Sequence, residues 1–190
     1  MIHGTPQVFH KVRGIYIHIP KCAGTSIEKT LGGPSFGGHS FATSIRAHYP
    51  KEWKSYYKFT VVREPLSRFA SAYYYLRNRG VHKALQNDKI HKSKDINDYV
   101  QNWYRNDNVL HMMPQVNFVC ERGKSIVDVY KFEELETSWR TILMKLNQHY
   151  KPLPLMNKSK DYITRYDGKS LAILREVYKE DFNLFNYQYS

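Results

Sequence analysis

The chain has 190 residues, 29 basic against 17 acidic side chains for a formal charge of +12, nine histidines and two cysteines. That length suits a single domain, 1–190, with a real core; two cysteines exclude a disulfide framework, and neither a membrane span nor a signal peptide is expected. The charge calls for an anionic partner, but the basic residues are spread along the chain and match no reader module, so nucleic acid is not expected.

The lead-in, residues 1–13, is polar. The stretch GIYIHIPKCAGTSIEKT at residues 14–30 then reads as three pieces. Ile15–Ile19 is a β-branched strand, Pro20–Gly24 a short loop, and Thr25-Ser26 the opening of a helix over Ser26–Leu31 that Gly32-Gly33-Pro34 must stop. Strand, small-residue loop and helix N-terminus together make an anion site, because the first-turn N–H groups and the helix dipole converge on one point. Lys21 adds a full charge, Thr25 and Ser26 add hydroxyls, and Ala23 and Gly24 let the main chain approach a ligand. The alternative is an ordinary strand–helix turn with a surface lysine. Cys22 is either a small loop-filler or a nucleophile beside Lys21. A nucleotide triphosphatase loop would pair glycine with lysine directly before the hydroxyl residue; here Lys21 precedes Gly24 by three positions.

Further along, a helix is expected at Ala42–His48 and a buried strand at Tyr57–Val62. That strand runs into REPLSRFASAYYY at Arg63–Tyr75, with Pro65 suited to a first helical turn. Arg63 stands at a strand's carboxyl end, where open α/β sheets bind ligands; Arg68 and Ser71 share a helix face. One anion could meet Arg63 and Ser71, or the arginines could pair with nearby acids. Asn78–Lys94 reads as a polar surface insertion, Asp95–Trp103 as a helix, Pro114–Val119 and Ser125–Tyr130 as strands, and Phe132–Leu146 as an amphipathic helix. Residues 150–160 form a proline-containing connection, and Ser170–Tyr178 a last helix before an aromatic tail. The strand–loop–helix units imply an α/β fold with a parallel central sheet flanked by helices.

Together these residues resemble the sulfotransferase superfamily, and within it the family 2 group of Golgi carbohydrate sulfotransferases and bacterial relatives. PKCAGTS at Pro20–Ser26 resembles the 5′-phosphosulfate loop, and REPLSRFASAY at Arg63–Tyr73 the 3′-phosphate motif. YKFEEL at Tyr130–Leu135, NKS at Asn157–Ser159 and YKEDFNLFNY at Tyr178–Tyr187 resemble the downstream elements, so the likeness runs over residues 14–188. Cys22 stands where threonine is commoner, and Glu64 where aspartate or asparagine is usual.

The resemblance implies a P-loop-like sulfotransferase fold and 3′-phosphoadenosine 5′-phosphosulfate (PAPS) as co-substrate, with no metal. It assigns Lys21, Cys22, Ala23, Gly24, Thr25 and Ser26 to the 5′ group, and Arg63, Ser71, Lys158 and Ser159 to the same ligand. Phe132 is either an adenine contact or a core residue. The acceptor implied is a hydroxyl, most often of a glycan. A soluble, cytoplasmic bacterial protein is expected, or a Golgi-lumenal one if this is an excised catalytic domain. Lys21 suits the charge of the departing phosphate oxygen. For the base, His39 lies between the two phosphate motifs, where related enzymes carry theirs; His18, Glu28 and Glu133 stay open. Rival readings are a nucleotide- or nucleic-acid-binding module without transfer activity, and a P-loop kinase.

Overall fold

The computed structural model describes residues 6–32, 38–78, 88–154 and 165–189. In chain order the elements are α1 (Pro6–Val12), β1 (Gly14–Ile17), α2 (Gly24–Gly32), α3 (Ala42–His48), α4 (Pro50–Ser55), β2 (Tyr57–Val62), α5 (Pro65–Asn78), α6 (Asp88–Lys92), α7 (Ile96–Asn102), α8 (Val116–Val119), β3 (Cys120–Glu121), β4 (Lys124–Ser125), β5 (Asp128–Lys131), α9 (Leu135–Lys145), α10 (Gly168–Val177) and α11 (Lys179–Leu184). They fall into two compact units, Met1–Arg63 with Gln115–Lys158, and Glu64–Pro114 with Ser159–Ser190. Among the described residues no helix is long and apolar enough to cross a membrane.

The first unit carries a parallel sheet in the order β1-β2-β5, as the strand–loop–helix pattern predicts. Ile17 pairs with Thr60, and Val62 with Lys131, so the three strands point their carboxyl ends at one edge. Ile15, Ile17, Ile19, Phe59, Val61 and Val62 are all fully buried. Strands covered on both faces read as continuous apolar runs, which is why this part of the sequence was legible. On α9, Leu135, Trp139, Ile142 and Leu143 are buried, with Leu146 at its C-cap, and the Trp139 indole N–H donates to the Lys151 carbonyl at 2.7 Å.

Three expectations fail in this unit. The polar lead-in contains α1, whose Val12 is 2% exposed and whose Phe9 meets Tyr49 edge-on. Pro114–Val119 is not a strand: Val116–Val119 is one helical turn burying Val116, Phe118 and Val119, with Phe118 against Phe41. A run this short and apolar has no period that separates a strand from a buried helical turn. Ser125–Tyr130 is likewise divided: Ser125 belongs to a small antiparallel hairpin with Cys120, and the sheet strand begins at Asp128.

The second unit is helical. Glu64 accepts from the main-chain N–H groups of Leu66 at 3.0 Å and Ser67 at 2.6 Å, capping α5 around Pro65 at its first turn. That gives the acidic residue a structural reason. Phe69, Tyr73, Tyr99, Tyr104, Met112, Leu174, Tyr178 and Phe182 form one core cluster. The aromatic tail is therefore a folded element, since α11 buries Phe182 and Phe185 packs just beyond it. Within Asn78–Lys94, Asp88–Lys92 is a short helix; the rest of the insertion to Asn87 lies outside the described residues beyond Asn78.

Candidate active site

The anion loop leaves β1 through His18 and Ile19, both buried. Along it, burial alternates: Cys22, Gly24 and Ser26 are buried, whereas Lys21, Ala23 and Thr25 are partly exposed. Lys21 and Ala23 both take left-handed backbone conformations, at φ 69° and 62°. Such conformations in residues with a β-carbon cost about 1–3 kcal/mol each, and they gather where function requires a particular loop shape. The Ala23 carbonyl accepts from Ser26 N–H at 3.0 Å and Ile27 N–H at 3.2 Å. The amides of Gly24 and Thr25 precede the helical ladder of α2, as first-turn groups do.

Gly24 is glycine for a reason the loop pattern did not disclose. It is a first-turn helical residue, and a β-carbon there would lie 1.9 Å from His18 Nε2. The His18 ring is held in that place, because its Nδ1–H donates to Glu28 Oε1 at 2.9 Å with both residues buried. The imidazole is thus a wedge locking the first turn of α2 to the strand before the loop. His18 and Glu28, two of the four residues open as bases, are engaged with each other beneath the loop.

His39 stands beside them. Its ring meets that of His18 edge-on at 4.5 Å, and its Nδ1–H donates to the His18 carbonyl at 3.1 Å. That bond leaves the lone pair of the neutral ring on Nε2. Burial, and then the neighbouring His18, push the His39 pKa down to about 4. His39 is neutral at pH 7. Glu133, the remaining alternative, is exposed on the turn after β5.

Cys22 is fully buried, and its thiol faces the Pro20 carbonyl at 3.6 Å and Gln115 Oε1 at 3.4 Å. An anion in the loop would therefore meet Cys22 only through its main chain. Arg63 follows β2 at the same sheet edge, with its guanidinium 4.7 Å from the centre of the Phe132 ring. Phe132 is half-buried at the end of β5 and is not a core residue. Gln115, which sequence reasoning missed, brackets the Arg63 main chain, accepting from its N–H at 2.9 Å and donating to its carbonyl at 2.8 Å. Nothing local marks it, since its partners are 52 and 93 residues away.

Ser71 is buried on α5, in the second unit. Arg68 is fully buried there, donating to the carbonyls of His111 at 3.0 Å and Met113 at 2.6 Å. It pairs with main-chain oxygens, where an acid was the expected partner. Lys158 and Ser159 lie outside the described residues, and among those described no group of three or more His, Cys, Asp or Glu is arranged to hold a metal.

No curated protein and no solved structure matches the chain. The model of the sulfotransferase family matches residues 35–188, which is most of the chain, although the anion loop lies ahead of the matched part and stands on its own geometry. The parallel sheet flanked by helices agrees with that match, and the chain belongs to the sulfotransferase family, in its family 2 group.

Proposed function

We propose that this chain transfers the sulfuryl group of PAPS to an acceptor hydroxyl, of a carbohydrate. The observation that carries the reading is the shared sheet edge. A strained loop with a cation and first-turn amides, and a strand-end arginine, emerge from neighbouring strands of one parallel sheet. Two anion sites at one edge suit a nucleotide phosphorylated at both its 5′ and 3′ ends.

The roles follow from the chemistry. The Lys21–Ser26 loop receives the 5′ group, and Arg63, with Ser71, Lys158 and Ser159 by sequence motif, receives the 3′-phosphate. The acceptor oxygen attacks sulfur in line, and the bond from sulfur to the 5′-phosphate oxygen breaks, releasing 3′,5′-ADP. Lys21 neutralises the charge that grows on that departing oxygen. The acceptor proton passes to His39 Nε2. A ring with a pKa of about 4 is a weak base. It takes the proton only as the new S–O bond forms and the hydroxyl becomes acidic.

Thermal shift with separate ligands tests the reading. Stabilisation by 3′,5′-ADP and by PAPS is expected, with little from ATP–Mg²⁺. Stabilisation by ATP–Mg²⁺ alone would favour a kinase, and stabilisation by 3′,5′-ADP without turnover across an acceptor screen would favour a binding module. A screen with labelled PAPS over glycans, phenols and small alcohols identifies the acceptor; a carbohydrate product is expected.

A further inference from the structure

Gln115 is fully buried, and its side-chain amide joins two segments of the candidate site. Its Oε1 accepts from Arg63 N–H at 2.9 Å and faces the Cys22 thiol at 3.4 Å, while its Nε2 donates to the Arg63 carbonyl at 2.8 Å. Arg63 is the residue just past the ladder of β2, so the side-chain amide supplies the pairing that a continued strand would have supplied. On its other side the same oxygen touches the inward face of the anion loop, where alternation has pointed Cys22. Burial of an unpaired amide is costly, so this arrangement holds together or fails as a unit.

From this we infer that Gln115 is a positioning residue that sets the spacing between the anion loop and the strand-end arginine. A ligand bound at both ends then meets both sites without adjustment of the main chain. Cys22 belongs to the same device: its small buried thiol is the loop's contact with the glutamine. The inference rests on the donor reading above, since it presumes one ligand with two anionic ends. The ordering energy of the two segments is met by folding, and binding a two-ended nucleotide does not incur it again.

Calorimetry with 3′,5′-ADP, 5′-AMP and 3′-AMP separates positioning from general support. Gln115→Met keeps the volume and removes the hydrogen bonds. It is expected to weaken 3′,5′-ADP about fivefold or more, the scale of one or two net hydrogen bonds, with both single-ended nucleotides unchanged within about twofold. A residue that only stabilises the fold would leave all three affinities unchanged, and that result overturns the inference. Equal losses for 3′,5′-ADP and one single-ended nucleotide would also overturn it, by placing the effect at one end. Cys22→Ala cuts the loop side alone and should show the same pattern at about two- to threefold; it decides the matter if the Gln115 variant does not fold. Absence of 3′,5′-ADP binding to the unaltered protein would instead remove the donor reading, and the inference with it.

Discussion

Two buried polar clusters, one in each unit, use similar residues for different ends. In the second unit Arg68 donates to the His111 and Met113 carbonyls, the hydroxyls of Tyr104 and Tyr178 both donate to the Met112 carbonyl, and the guanidinium lies 5.7 Å from the Tyr178 ring centre. Four of these bonds end on the main chain of the 111–113 segment, the Tyr104 and Tyr178 hydroxyls lie 3.0 Å apart, and the cluster sits inside an aromatic core. In the first unit His18, Glu28, Cys22 and Gln115 are also buried, but they surround a loop whose alternate residues Lys21, Ala23 and Thr25 reach solvent. The first arrangement staples a core segment; the second holds a strained loop in shape with its outer face open to solvent. Arg63 and Arg68 stand five apart in one motif, and their surroundings differ: Arg68 is fully buried, whereas Arg63 is partly exposed at the end of β2.

The comparison breaks most visibly at Arg68. Arg68→Ala should lower the unfolding free energy in urea by about 4 kcal/mol, because it removes a fully buried side chain, opens a cavity and takes the donors from two part-buried carbonyls. A loss under about 1 kcal/mol would show the staple to be dispensable.

At His39 the expected loss is catalytic. His39→Ala should reduce kcat about a hundredfold or more while 3′,5′-ADP affinity stays near that of the unaltered protein. The depressed pKa adds a pH signature. The unfolded chain takes up this proton below pH 6.5 and the folded one only near pH 4, so the contribution to stability is complete above 6.5 and is lost as pH falls through 4. Melting curves of His39→Gln should therefore fall less steeply across that window. Normal turnover by His39→Ala with its true acceptor would make the residue only a support for the loop.

Gly24→Ala tests the wedge. Its new methyl group meets a ring that Glu28 holds in place, so the variant should lose about 2 kcal/mol of stability, the usual scale of overpacking. Combining it with His18→Ala should recover part of that loss in a double-mutant cycle. If the two losses add, the glycine answers to the loop and not to the histidine.

The smallest effect is expected at Arg63. Arg63→Ala should cost about tenfold in 3′,5′-ADP affinity, or about 1.4 kcal/mol, without a matching fall in melting temperature. Calorimetry showing unchanged affinity would return Arg63 to the structural class with Arg68.

The sheet and the main helices were legible in the residues alone, for a local reason. Ile15–Ile19 and Tyr57–Val62 carry the apolar runs of strands buried on both faces, and Ala42–His48 and Pro65–Asn78 carry helical patterns with proline or polar boundaries. The positions of the loop after β1 and of Arg63 after β2 could also be read, because each directly follows an apolar strand run. What the residues could not show was which neighbour each side chain would meet. Val116–Val119 forms a helical turn that buries Val116, Phe118 and Val119, with Phe118 against Phe41, 77 positions back. Gly24 answers to a ring six positions back, and Gln115 to a thiol and a main chain 93 and 52 residues away. Contacts over such separations leave no period and no local signature, so only the folded chain could decide them.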